Sequence, residues 1–397
     1  MNKIKITLRG HWLSISCWLI TVLALITVLG YHLGTLVPGL SSSEQAVAIT
    51  PLGWSGIYAD PLNLPLLLLR SIAFFFHDGA GAFVTRAPNA VLGAVAVVAL
   101  MLVVKFWHGT RIALLTGVLF GSAAWTLHIS RYASTDVLYL LLVPLLLLTQ
   151  VLIKQQSRRL LVVCAVMLTW GVLLYVPGFV WLLLVTIFWQ RKLLRGIWSI
   201  HTALKPRLLI IACGLVTLPL LIIRFINEPR AIISWLGLPQ DFGSLGSIGH
   251  GLLAVPVHVF VHGPAIPELW LGRLPILDVF TLALAVLGIF FYVARNWFAP
   301  RTQQLLSYAV VGLILIGLGG PVTLSVVIPL AYLAAAAGIA WLLRDWLRTF
   351  PINPFARSIG IGLITLAVLL SAGYNLRSYF IAWPHAQATQ VSFRSKP

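Results

Sequence analysis

Long apolar segments recur along the whole chain and limit its fold more than any other feature of the sequence. Of the 397 residues, 60% are hydrophobic and only 9% are charged, whereas a soluble domain carries about 25% charged residues. One soluble core cannot bury this much apolar surface. The sequence therefore predicts an all-α, polytopic membrane protein, and it excludes the collagen-like, disordered and disulfide-rich classes.

The apolar segments predict about eleven transmembrane helices in a single membrane-embedded domain over residues 1–397. The first segment extends to about Gly30 and is long enough to cross a bilayer, so we expect an uncleaved span rather than a signal peptide. Breaks at Val176-Pro177-Gly178 and Gly319-Gly320-Pro321 predict tight turns. The other predicted spans lie near residues 88–105, 112–128, 135–153, 160–175, 177–189, 207–223, 275–293, 304–319, 321–342 and 358–373.

The charge pattern predicts the orientation of the chain in the membrane. The net charge of +18 comes from 27 Lys and Arg residues against 9 Asp and Glu residues. The basic residues cluster in short segments between apolar runs, which favours membrane lipids over nucleic acid as partners. With a cytoplasmic N-terminus, most basic residues fall inside, and every acid except Asp345 falls outside. We therefore expect a multi-pass protein of the cell membrane with an extracytoplasmic active site.

Two outer segments, residues 31–87 and 224–274, are long, whereas the predicted inner segments are short and basic. The chain contains neither a P-loop nor a Gly-x-Gly-x-x-Gly turn after a strand, and it has no Asp-x-Asp pair. These absences disfavour an enzyme that uses a cytoplasmic nucleotide donor. Cys17, Cys164 and Cys213 lie inside apolar runs and are interpreted as packing residues.

The first outer segment holds two candidate catalytic carboxylates. Glu44 follows three serines that can cap a helix, so it is either a general base facing a cavity or the carboxylate of a capping box. Asp60 precedes Pro61, a pattern typical of a turn. The functional alternative is that Asp60 or Tyr58 lines an acceptor groove.

Two arginines lie beside predicted membrane spans, where charged side chains are rare and usually functional. Arg86 lies at the outer mouth of the second predicted span, where it either reaches lipid headgroups or binds a substrate phosphate. Arg131 and Asp136 flank the next outer turn, and ionisable residues beside apolar helices are functional candidates. The alternative is that Arg131 and Asp136 pair with each other.

Two patterns offer weak evidence for a metal site. His77 and Asp78 are adjacent in the first outer segment, and His258 and His262 are four residues apart in the second. The four-residue spacing puts both imidazoles on one helix face. An amphipathic helix at the membrane surface explains the second pair better.

An ordered set of motifs resembles a known family. The chain resembles the polytopic GT-C glycosyltransferases, in particular the family-39-like branch of protein O-mannosyltransferases and aminoarabinose transferases. In many of these relatives an Asp precedes the first-loop Glu, whereas Ser43 precedes Glu44 here. The motifs are Glu44, Asp60-Pro61 with Pro65, Arg86-Ala87-Pro88-Asn89 through Gly93, Ser130-Arg131 through Asp136, Tyr175-Val176-Pro177-Gly178 and Tyr379 through Pro384.

The resemblance implies an inverting glycosyltransferase with a polyprenyl-phosphate sugar as donor and a hydroxyl of a lipid, protein or polysaccharide as acceptor. Glu44 is then the expected general base, with Asp60 as the second candidate. Arg86 and Arg131 stabilise the leaving phosphate. Asp136 is expected to orient Arg131, to bind the acceptor or to help hold a divalent cation as cofactor. Tyr58 and Tyr175 are expected to bind substrate.

Two other functions compete with this hypothesis. A transporter or lipid flippase is the first, although such proteins usually carry internal repeats, and no repeat is visible here. The second is a ligase or polymerase that acts on diphosphate-linked glycans, which differs only in its donor.

Overall fold

Helices form almost all of the chain, as the apolar segments predict. The computed structural model describes residues 2–48, 53–76 and 81–393. Strands β1 (Ala265–Ile266) and β2 (Trp270–Leu271) pair antiparallel in a short hairpin. The first ten helices are α1 (Asn2–Gly30), α2 (Ser42–Ala48), α3 (Gly53–Ala59), α4 (Leu64–Phe76), α5 (Ala82–His108), α6 (Thr110–Ser122), α7 (Ala124–Arg131), α8 (Asp136–Gln156), α9 (Leu160–Leu173) and α10 (Phe179–Ile200).

The second half of the chain continues the helical pattern. A 3₁₀ turn over Leu324–Val326 precedes a long buried helix, and a π-helical turn over Ser378–Ala382 extends the last long one. The remaining helices are α11 (Leu204–Leu215), α12 (Pro219–Asn227), α13 (Ala231–Trp235), α14 (Leu245–Phe260), α15 (Val279–Asn296), α16 (Pro300–Gly317), α17 (Ile328–Thr349), α18 (Pro354–Arg377) and α19 (Gln387–Phe393).

The helices confirm an all-α membrane fold but do not establish eleven spans. Within the described residues, 6 helical runs are long and apolar enough to cross a membrane, and α6 with α7, bent by 62°, makes 7 if counted as one span. Several predicted spans are shorter or less apolar helices. The 6 runs are Ala82–His108, Asp136–Gln156, Leu204–Asn227, Val279–Asn296, Leu324–Thr349 and Pro354–Ala382.

Both predicted Pro/Gly turns are present, and they pack against each other. Gly178 (φ +79°) precedes α10, and Gly319 (φ +74°) follows α16. These left-handed backbone conformations favour glycine because they strain a residue with a Cβ. A Cβ on Gly178 would lie 2.7 Å from Val322 Cγ2, so the two turns are in close contact.

Small residues let α15 and α17 approach at backbone distance. The run Ala335–Ala337 of α17 is fully buried. A Cβ on Gly288 would lie 1.8 Å from the carbonyl oxygen of Ala334, and one on Gly338 would lie 2.1 Å from that of Leu284. Lipid tails are as apolar as the helices, so close backbone packing of this kind drives helix association in membranes.

Replacing Gly288 with Ala should therefore destabilise the protein. The added methyl group meets a backbone carbonyl, which cannot rotate away, so α15 and α17 must separate at a cost of about 1–3 kcal/mol. The melting temperature of the detergent-purified protein measures this. Gly362→Ala in α18 is the control, because a Cβ added to Gly362 would meet no atom within 4 Å beyond its chain neighbours and its own helix backbone. Equal melting temperatures for the two variants would contradict the close approach of α15 and α17 at Gly288.

Candidate active site

Helix α2 begins with a reciprocal cap that places Glu44. The backbone N–H of Glu44 donates to Ser41 Oγ at 3.3 Å, and the backbone N–H of Ser41 donates to Glu44 Oε2 at 3.2 Å. This is the capping box that the sequence offers as one role of Glu44. Both residues are fully buried, so the cap also directs the Glu44 carboxylate into the protein.

Arg86 of α5 forms a bidentate ion pair with the Glu44 carboxylate. Its Nε donates to Glu44 Oε1 at 2.8 Å, and its Nη2 donates to Oε2 at 2.6 Å. The guanidinium also donates to the carbonyls of Gly39 at 2.8 Å and Leu33 at 3.3 Å. The N–H of Ala133 donates to Oε1 at 3.1 Å. Four hydrogen bonds thus engage the two carboxylate oxygens and join the first loop, α5 and the 132–135 turn.

Tyr132 links this ion pair to the second long outer segment. Its hydroxyl contacts Ser41 Oγ at 2.8 Å, and it also hydrogen-bonds Ser43 Oγ and the Glu268 carboxylate. Ser43 Oγ donates to Glu268 Oε2 at 2.5 Å. Burial and the hydrogen bond to Glu268 raise the pKa of Tyr132, so the phenol remains a proton donor at neutral pH. The two predicted outer segments therefore meet at Ser43 and Glu268.

Arg131 is buried beside this cluster but does not pair with Asp136. It donates to the carbonyls of Val28 at 2.6 Å and Tyr31 at 2.5 Å, at the end of α1. Its guanidinium lies 5.2 Å from the Tyr379 ring centre and 4.8 Å from that of Phe380. No ion pair joins Arg131 and Asp136 in the described part of the chain. Asp136 instead begins α8, where its N–H donates to Ser134 Oγ at 3.3 Å.

A narrow cleft and two larger cavities adjoin these residues. Arg86, Arg131, Tyr132 and Glu268 line the cleft, together with aromatic side chains. A cavity of about 490 Å³ shares its His128 and Trp383 walls. An apolar groove of about 550 Å³ continues from that cavity. Trp270, Leu274 and Ser378 line both the cavity and the groove.

Three of the predicted site residues do not line this cleft. Tyr58 and Asp60 are exposed, and Asp60 faces Arg224 Nε at 3.7 Å. Tyr175 is buried against Ile57 and Leu221, and its hydroxyl donates to the carbonyl of Thr217. The cavities around Glu268 are lined by none of Tyr58, Asp60 and Tyr175, so the structure groups Glu44, Arg86 and Arg131 without them.

Sequence reasoning did not single out Glu268, Tyr132 or Arg273. Glu268 counted only as one acid of the second outer segment, and 225 positions separate it from Ser43. Arg273 lines the 490 Å³ cavity and is exposed there. For Glu268 and Arg273, the available signal was their location in a long outer segment. It does not reveal which distant residue each one meets.

Neither histidine pattern gains support as a metal site. His258 Nδ1 lies 3.1 Å from the carbonyl oxygen of His262, and no group of three or more His, Cys, Asp or Glu residues suited to a metal occurs in residues 2–48, 53–76 and 81–393. His77 and Asp78 lie outside the described residues.

Comparison with known proteins identifies the fold. No protein-family model and no curated protein sequence matches the chain. The structure of ArnT from Cupriavidus metallidurans in the apo state is similar, with a TM-score of 0.56 and 13% identity. This match covers 95% of this chain and 77% of ArnT. ArnT bound to undecaprenyl phosphate is similar too, with a TM-score of 0.57 and 14% identity. The Archaeoglobus fulgidus oligosaccharyltransferase is also similar, with a TM-score of 0.52 and 13% identity. This match covers 95% of this chain and 56% of the oligosaccharyltransferase. Both are GT-C glycosyltransferases, so the chain has the GT-C fold that the resemblance implies.

The ion pair predicts a large cost for removing one partner. Arg86→Met leaves the Glu44 carboxylate buried without its counter-charge, and we expect a loss of about 3–5 kcal/mol in the free energy of unfolding. Thermal melting of the purified protein measures the loss. Arg230→Met, at an exposed arginine, is the matched control.

The double variant Glu44→Gln/Arg86→Met isolates the pairwise interaction. With no buried charge left, it should recover part of the stability lost by Arg86→Met. If Arg86→Met melts at the same temperature as Arg230→Met, then the pair does not hold the first loop.

Proposed function

We propose that this chain transfers a sugar from a polyprenyl-phosphate donor to an acceptor hydroxyl at the outer face of the cytoplasmic membrane. The observation that supports this most is the continuity of an apolar groove with a cavity that holds Arg273 and His385, next to the cleft lined by Glu268. An amphiphilic donor needs both environments, one for its lipid chain and one for its phosphate and sugar.

The apolar groove suits the prenyl chain. Its walls come from the segment after the β-hairpin, from the start of α15 and from the last turns of α18. A similar structure, that of ArnT, holds undecaprenyl phosphate. The groove is lined mainly by Leu274, Pro275, Val279, Phe280, Ala367 and Leu370.

Basic side chains stand where the phosphate would lie. Arg273 and His385 line the adjoining cavity, and Arg273 forms no ion pair within the described ranges. Arg131 Nε is buried without a hydrogen-bond partner in the structure. Guanidinium groups bind phosphate strongly and stabilise the charge that grows on it as the glycosidic bond breaks. In this proposal Arg273 and Arg131 act on the phosphate, whereas Arg86 acts on Glu44.

We assign the general base to Glu268 and a positioning role to Glu44. Hydrogen bonds to Arg86, Ala133 and Ser41 occupy both oxygens of the buried Glu44 carboxylate. Glu268 lines the cleft, is partly exposed and accepts hydrogen bonds from neutral hydroxyls. The resemblance implies that many relatives carry Asp where this chain has Ser43, and the Glu268 carboxylate lies 2.5 Å from Ser43 Oγ. Glu268 thus supplies a carboxylate near the position where those relatives carry an Asp.

The reaction follows from this arrangement as one displacement. The acceptor hydroxyl oxygen attacks the anomeric carbon while its proton moves to Glu268. The bond between the anomeric carbon and the phosphate oxygen breaks, and its electron pair leaves with polyprenyl phosphate. A single displacement inverts the configuration at the anomeric carbon.

Glu268→Gln should lower turnover about 100-fold or more, because the amide cannot take the acceptor proton. Ser43→Asp in the Glu268→Gln background should restore part of the activity, since it returns a carboxylate to the same place. The readout is release of free polyprenyl phosphate from a panel of polyprenyl-phosphate sugars, followed by mass spectrometry with a membrane extract as acceptor. Asp241→Asn, an exposed acid of the same segment, is the control.

Three other results would change the assignment. Full activity of Glu268→Gln with inactive but stably folded Glu44→Gln would return the base to Glu44. Loss of activity in Asp60→Asn or Asp136→Asn alone would move it to those candidates. If the wild type releases polyprenyl phosphate from none of the donors, the glycosyltransferase proposal fails. Transport without turnover in vesicles would then favour the flippase hypothesis, and turnover of diphosphate-linked donors would favour the ligase.

A further inference from the structure

A polar cavity lies at the opposite end of the helix bundle from Glu44. Arg86 is near the start of α5 and His108 is its last residue, so the two ends are about 33 Å apart along the helix. The cavity has a volume of about 640 Å³, within the range of sites that bind small ligands. Its walls come from α5, α8, α10, α15, α16 and α17.

The lining of this cavity is basic. Lys154, Lys192, Arg301 and Arg344 line it together with His108, and the lining contains neither Asp nor Glu. None of these side chains forms an ion pair with a carboxylate in the described part of the chain. The Arg301 guanidinium lies 4.2 Å from the ring centre of Trp107, and this contact orients it. Basic groups from five helices therefore converge without a counter-charge.

A network of amide and hydroxyl groups borders the same cavity. Gln190 Nε2 donates to Gln304 Oε1 at 2.9 Å, and Gln304 Nε2 donates to Gln150 Oε1 at 2.8 Å. Gln150 Nε2 donates in turn to the Tyr308 hydroxyl at 2.9 Å. Gln150, Gln304 and Tyr308 are all buried. A connected network of this kind makes a rigid polar wall.

Three buried polar atoms at the cavity lack hydrogen-bond partners in the structure: His108 Nε2, the Tyr292 hydroxyl and Thr302 Oγ1. Buried polar groups are nearly always hydrogen-bonded, because leaving one unpaired costs free energy. The positive-inside rule accounts for Lys and Arg at this end of the bundle. It does not account for unpaired polar atoms, nor for a polar wall between apolar helices.

We propose that this cavity binds the phosphate group of a phosphate ester. A phosphate offers several acceptor oxygens and a negative charge. Arg301, Lys154 and Lys192 can meet that charge, while the Tyr292 and Thr302 hydroxyls can donate to its oxygens. The ligand enters from the membrane face where the basic residues gather. Two sources share this chemistry, a phospholipid headgroup and a soluble phosphate ester. The inference is independent of the glycosyl transfer proposed at the other end.

Binding to the full-length protein tests the proposal with two probes. The soluble arm uses glycerol 3-phosphate with detergent-purified protein, measured by calorimetry. The lipid arm uses phosphatidic acid in phosphatidylcholine nanodiscs, measured by native mass spectrometry. We expect saturable binding of one ligand per chain in at least one arm, and the arm that shows it identifies the source.

Three variants identify the site. Arg301→Gln should weaken binding about tenfold, because a hydrogen bond to a charged group is lost. The double variant Lys154→Gln/Lys192→Gln should weaken it severalfold without harm to folding, since both lysines are exposed. Arg295→Gln is the control, because Arg295 is an exposed arginine of α15 at the same end of the bundle and does not line the cavity.

The outcomes decide the proposal. Loss of binding in both cavity variants, with the control unchanged, supports it. Absence of saturable binding in both arms overturns it. Equal binding by all three variants also overturns it, because the ligand would then lie elsewhere on a generally basic face.

Discussion

The buried ion pair between Glu44 and Arg86 is the contact on which this end of the helix bundle depends. A carboxylate at this depth is too costly to leave alone, so its position and that of the guanidinium determine each other. The same guanidinium binds two loop carbonyls, and the same carboxylate accepts from Ala133. One interaction therefore holds the first loop, the start of α5 and the 132–135 turn in a single arrangement.

That arrangement creates the cleft in which we place the chemistry. With α2 anchored, Ser43 and Tyr132 face the second outer segment, and Glu268 binds to both. The division of labour between two carboxylates follows from their surroundings. Glu44 is saturated with donors and fully buried, which suits a positioning residue. Glu268 meets neutral hydroxyls at the cleft, which suits a group that must accept a proton during turnover.

The two ends of the helix bundle use charge in opposite ways. At the Glu44 end, Glu44 and Arg86 form an ion pair, and an apolar groove lies nearby. At the His108 end, basic groups face a cavity that has no acid in its lining. The first arrangement suits a reaction that creates and moves charge. The second suits binding of an anion that arrives with its own charge. The first residues of α15 line the apolar groove and its last ones line the basic cavity, and its close packing against α17 at Gly288 lies between them.

The sequence by itself determined the class of the fold, and it singled out Glu44, Arg86 and Arg131, which the structure brings close together. The long apolar runs favour a helical membrane protein, because about 20 apolar residues span a bilayer as a helix that satisfies its own backbone hydrogen bonds. The serine cap before Glu44 and the Pro/Gly turns at Gly178 and Gly319 are local features, and local sequence is sufficient to predict them. Arg86 and Arg131 were recognisable because a charge beside an apolar span is rare.

Only the tertiary structure decided which of those residues meet. The Glu44–Arg86 pair joins residues 42 positions apart, and the contact between Ser43 and Glu268 joins residues 225 positions apart. Tyr58, Asp60 and Tyr175 belong to the same set of predicted site residues, yet they do not line the cleft that holds Arg86 and Arg131. Such tertiary contacts depend on helix packing, which is determined by the shapes of many side chains together. No short stretch of sequence contains that information.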